Sequence, residues 1–84
     1  MEWNLQAESK YKKMLSKIPL FHRQITQEVV DKMAPQNAQE RQSKFVEEED
    51  IIKAFLCEVP QTFYSIMIRL MEDVGFDYKK YEKQ

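Results

Sequence analysis

The side chains in this sequence that could carry out chemistry are few and scattered. His22 is the one histidine and Cys57 the one cysteine. An imidazole beside Arg23 could serve as a proton donor, an axial ligand or a pH-sensitive contact. A lone cysteine excludes an intrachain disulfide and any multi-cysteine zinc or iron–sulfur site, and no second His or Cys stands at ligand spacing from His22. For His22 and Cys57 to act as base and nucleophile they would have to meet in space, and no nucleophile motif surrounds Cys57. His22 therefore reads as a surface or partly packed histidine. The run Glu47, Glu48, Glu49 and Asp50 lacks the alternating Asp/Asn-Gly loop of a calcium site, and consecutive helical residues point in different directions, so it reads as a solvated first turn of a helix. No catalytic residue, metal site or cofactor is expected.

Charge excludes further classes. Thirteen Lys and Arg against fourteen Asp and Glu leave a net charge of −1, too weak a field to gather nucleic acid or an anionic membrane. Lys10, Lys13 and Lys17 are balanced by acids, and no aromatics interleave with them on their face of the helix. No apolar h-region opens the chain and no run reaches 18 uninterrupted apolar residues, so neither a signal peptide nor a membrane span is expected. A single cysteine suits a reducing compartment, and the cytoplasm is the expected location.

The elements that must position these residues are helices. The 84 residues give no room for a second domain, and 43% hydrophobic content with one Gly and three Pro is the composition of a folded helical chain. Ala7, Tyr11, Met14 and Ile18, with Leu15 beside them, draw one apolar stripe along a helix over residues 4–17, capped by Asn4. The three lysines would lie in water on its flank. Pro19 forces a turn at Ile18, Pro19 and Leu20 and opens a second helix. Phe21, Ile25, Val29 and Met33, four apart, define the expected buried face of that helix, and Pro35 is expected to end it.

Residues 35–44 read as a polar connection holding at most a short helical turn. Phe45 and Val46 then precede the acidic run, and a third helix buries Ile51, Ile52, Phe55 and Val59. Pro60 repeats the device of Pro19. A fourth helix follows with Phe63, Met67, Leu70 and Val74, widened by Ile66 and Met71, until Gly75 supplies a left-handed terminus. Asp77 is placed to cap a last short helix bearing Tyr78 and Tyr81. The expected architecture is all-α, a single domain over residues 1–84 made of four helices and a short helical tail.

Trp3 and Ala7 four apart, then Leu15, Ile18, Pro19 and Arg23 at the spacing Leu-x-x-Ile-Pro-x-x-x-Arg, with Phe21 within the block and Ala34 after it, resemble the C-terminal helical domain of the B subunit of light-independent protochlorophyllide reductase. Phe45 and Val46, with Ile51 and Ala54, look like that family's next strand-free hydrophobic segment and helix. The similarity covers residues 3–54; the fourth helix and tail, over residues 60–84, are additional, and an extra turn lies between Ala7 and Leu15. The resemblance implies a helical module beside a tetrapyrrole pocket that helps to bind substrate while electron transfer belongs to other domains.

These readings give a non-enzymatic binding or interaction module. The alternatives are an accessory component of a tetrapyrrole oxidoreductase, active only when assembled, and a structural homo-oligomer. The apolar residues of the fourth helix cover more of its circumference than one stripe needs, which suggests docking of a protein partner or of a second copy. The expected contact residues are Trp3, His22, Arg23, Phe63, Met67 and Met71. Trp3 would supply an aromatic contact, Arg23 would pair with a carboxylate, and the methionines would adapt to an apolar face such as a tetrapyrrole.

Overall fold

A computed structural model describes residues 1–58 and 62–81, and the backbone alone of Gln61. Within these residues the order is β1 (Glu2–Trp3), α1 (Leu5–Lys17), α2 (Leu20–Glu40), β2 (Phe45–Val46), α3 (Glu48–Glu58), a 3-10 turn (Gln61–Phe63), α4 (Tyr64–Val74) and a final 3-10 turn (Tyr78–Tyr81). The fold is the small all-α bundle the periodicity predicts, with two additional two-residue strands. Val59, expected in the third core stripe, and Pro60, expected to close that helix, lie outside the described residues.

Helix α1 follows its sequence closely. Asn4 Oδ1 accepts the Ala7 N–H at 3.0 Å, satisfying one of the donors that a helix start leaves open. Ala7, Tyr11, Met14, Leu15 and Ile18 are all buried. At the other end, Arg23 donates from Nε and Nη2 to the Ile18 carbonyl at 3.2 and 3.0 Å, and from Nη2 to the Ser16 carbonyl at 3.2 Å. Arg23 thus caps the C-terminus of α1, where carbonyls without helical partners favour a cation. This corrects the expected carboxylate pairing.

Helix α2 departs from expectation in two ways. It runs through Pro35 to Glu40, so Pro35 does not end it and most of the expected polar connection is helical. Proline gives up one backbone hydrogen bond there, and the Gln-Asn-Ala-Gln-Glu stretch behind it continues the helix. The buried face is also rotated from the expected one: Thr26, Val30, Ala34 and Ala38 are buried, whereas Phe21 and Ile25 are 85% and 65% exposed. Both stripes have a period of four. The core takes the one with the smaller residues because α2 packs chiefly on α3, and alanines let two backbones approach closely where phenylalanine would hold them apart.

The α2–α3 connection is pinned by a buried charge. Asp50, expected on a solvated turn, is fully buried. Its Oδ1 accepts Arg41 Nε at 2.9 Å and its Oδ2 accepts Arg41 Nη2 at 2.6 Å, a two-bonded fork. Oδ2 also accepts the Glu47 N–H at 2.9 Å, the reach-back of a third helical residue to the cap position. Asn37 Nδ2 donates to the Asp50 carbonyl at 3.0 Å, and Glu49 lies 3.4 Å from Arg41 Nη1. The guanidinium is accordingly held in its charged form well beyond its ordinary range, first by the Asp50 bond. Gln42, at φ 62, takes the left-handed position after α2, and Ser43 N–H returns to the Ala38 carbonyl at 2.9 Å.

Phe45 and Val46, expected to be strand-free, pair in parallel with Glu2 and Trp3, and Asn4 N–H donates to the Val46 carbonyl at 2.8 Å. Gly75 closes α4 at φ 90, as expected. Lys10, expected in water, instead joins three elements: Nζ lies 2.6 Å from Glu48 Oε2 and 3.3 Å from the Gly75 carbonyl, and 5.9 Å from the centre of the Phe76 ring.

Removing one partner of the buried pair leaves an uncompensated charge, so Arg41→Ala and Asp50→Ala should each lower unfolding free energy by about 3 kcal/mol. Urea titration followed by circular dichroism measures this. A loss below about 1 kcal/mol would show that the pair is not structurally important.

Candidate functional site

The rotation of α2 that buries its alanines turns Ile25 and Val29 outward on the side facing α4. Between them lies a groove of about 400 Å³, lined by Ile18 and Pro19 of the turn, His22, Ile25, Thr26 and Val29 of α2, Glu58 at the end of α3, and Phe63, Ile66 and Met67 of and before α4. Ile18, Thr26 and Met67 are buried, whereas Ile25 and Ile66, 65% and 50% exposed, stand on opposite walls. The volume is in the range of sites that take small molecules or several side chains of a partner.

His22 stands between aromatic rings, edge-on to Phe21 at 5.1 Å and tilted against Phe63 at 5.0 Å. It is half-buried and continues the apolar wall with one polar rim. Phe21 extends that wall into solvent. No group of His, Cys, Asp and Glu among the described residues is arranged to hold a metal ion. Cys57 is exposed.

Of the residues singled out in the sequence, His22, Phe63 and Met67 share this groove. The other three do not. Met71 is fully buried in the core together with Leu70 and Val74; the surplus apolar surface of α4 is mostly spent on α1, and Ile66 is its large exposed remainder. Arg23 is engaged by the α1 carbonyls. Trp3 stacks on Tyr11 with ring centres 5.5 Å apart, and lines a separate polar hollow with Glu8, Tyr11, Lys12, Leu15, Gln27 and Asp31. Ile66 belongs to the surplus apolar surface of the fourth helix that the sequence offers for docking, whereas Ile25, Val29 and Glu58 are not singled out as site residues by the sequence. Ile25 and Val29 fall on the stripe the sequence places in the core; the signal that frees them is the second stripe of Val30, Ala34 and Ala38 beside their own.

In the polar hollow, the Tyr11 hydroxyl donates to Asp31 Oδ1 at 2.9 Å and approaches the Gln27 carbonyl at 3.4 Å. Burial, then the Asp31 bond, then the Asp31 charge raise the phenol well above its ordinary 10.0. These groups hold α1 to α2 and have the geometry of a structural contact.

Comparison with family models, with curated proteins and with solved structures gives no match to this chain. None of the three links it to the reductase domain. No helix among the described residues is long and apolar enough to cross a membrane.

A phenol with a raised native pKa contributes stability that is present below its ordinary value of 10.0 and lost as pH rises past it. Urea unfolding between about pH 8 and pH 11 should therefore show a steeper decline for the native chain than for Tyr11→Phe. At neutral pH the variant should lose about 1 kcal/mol. Parallel pH slopes would contradict the assignment.

Proposed function

We propose that this chain is a non-catalytic interaction module that holds an amphipathic helix of a protein partner in the groove between α2 and α4. The observation that carries the reading is the exposure of Phe21, Ile25 and Ile66 around a groove whose floor is closed by buried side chains. Scattered apolar residues on a surface need no explanation, but a contiguous apolar patch with a concave centre marks an interaction site.

The extent of the patch favours a helix over a small ligand. Phe21, Ile25 and Val29 run down α2 for about 12 Å, a little over two turns. A small apolar molecule filling the groove would leave Phe21 in water. A helix with apolar residues at i, i+3 or i+4, and i+7 would cover the groove and the Phe21 end together. Met67 on the floor is unbranched and adapts to the shape of an inserted side chain. A flat tetrapyrrole, the ligand implied by the reductase resemblance, would meet neither Trp3 nor a free Arg23 guanidinium here.

Selection of random displayed peptides of about 15 residues, four helical turns, against the chain tests this reading. Enriched sequences should carry the helical apolar spacing and lose at least about tenfold in affinity on Ile25→Glu or Ile66→Glu, since each places a charge in an apolar contact. Both positions are exposed, so the variants should unfold at the urea concentration of the native chain. Failure to enrich, or peptides indifferent to both substitutions, would overturn the proposal.

A further inference from the structure

Among the described residues, one carboxylate lines the groove. Glu58 closes α3 at its edge, and no ion pair joins it to a cation among the described residues. Arg23, next to the lining residue His22, is committed elsewhere, because it donates to the Ile18 and Ser16 carbonyls. The remaining lining is aliphatic or aromatic apart from Thr26 and the imidazole of His22. An apolar surface laid over this groove would draw water away from the Glu58 carboxylate and give it nothing in exchange, which disfavours a purely apolar occupant.

We infer that the helix held between α2 and α4 carries a lysine or arginine at one fixed position relative to its apolar anchors, and that this cation pairs with Glu58. The inference rests on the proposed groove function and adds its selectivity. The apolar anchors supply most of the affinity, and the charge pair sets the direction and register in which the helix lies, as complementary charges at interface rims do. A helix of the same apolar pattern with an acidic residue at that position is rejected, since like charges would face each other across a partly dried edge.

Peptides enriched on the native chain and on Glu58→Lys, each selection counter-screened with Ile25→Glu, test the pairing. On the native chain one position at constant spacing from the anchors should be Lys or Arg, and on Glu58→Lys the same position should become Asp or Glu. A single native-selected peptide should bind Glu58→Lys on the order of tenfold more weakly, and changing its fixed Lys to Glu should restore the loss. Glu58 is an exposed helix-terminal residue, and circular dichroism checks that Glu58→Lys keeps the native fold. Peptides that depend on Ile25 but show no fixed basic position, and bind Glu58→Lys equally, would overturn the pairing and leave the groove. Absence of any Ile25-dependent peptide would overturn both. A concentration-dependent dimer in sedimentation that dissociates on Ile25→Glu would place a second copy in the groove and overturn the partner helix.

Discussion

The burial of one carboxylate constrains the rest of this fold. Asp50 has no access to water, and it is tolerable there because Arg41 meets it with two hydrogen bonds and the Glu47 N–H with a third. Satisfying it requires the C-terminal turn of α2 and the N-terminal turn of α3 to meet at one distance and one rotation. That rotation directs Ala34 and Ala38 at α3, and it therefore directs Ile25 and Val29 away from it. The open apolar groove is a consequence of how α2 is fastened at its far end.

Two other helix ends follow the same logic with weaker bonds. Arg23 closes α1 by donating to its last carbonyls, and Lys10 joins the Gly75 carbonyl after α4 to Glu48 at the start of α3. Each long cationic side chain lies along apolar surface and ends on the acceptors that a helix terminus leaves open. With the C-termini of α1, α2 and α4 and the N-terminus of α3 tied to neighbours, a chain of this length can hold a concave surface open without collapsing its walls onto each other. Backbone-level fixing of the walls also limits the ordering that a partner would have to impose.

Helix existence was legible in the sequence because it depends on local signals. Asn4, Pro19 and Gly75 mark ends by capping and by dihedral restriction, and the α1 stripe has one reading. The face that α2 buries was not legible. Phe21, Ile25, Val29 and Met33 compete with Thr26, Val30, Ala34 and Ala38 at the same period, and transfer energy alone favours the larger set. Backbone approach to α3 decides for the smaller one, and that is a tertiary effect. Pro35 misled for a related reason: the cost of a proline within a helix is met by packing on both sides of it. Arg41 and Asp50, nine residues apart, carry no local pattern that announces a buried pair. The groove inherits these ambiguities, so His22, Phe63, Met67 and the apolar surface of α4 that holds Ile66 could be singled out while Ile25 and Val29 could not.

Exposure of the α2 stripe carries the proposed function, and burial of its alanine stripe carries stability. Methyl NMR of the chain labelled at isoleucine and valine, bound to a helical peptide selected on it, tests this division most directly. Contacts from the peptide to the Ile25, Val29 and Ile66 methyls, with Val30, Ile51 and Ile52 showing none, are the predicted result. Contacts confined to the surface around Leu5 and Phe45, with Ile25 and Ile66 unperturbed, would contradict it.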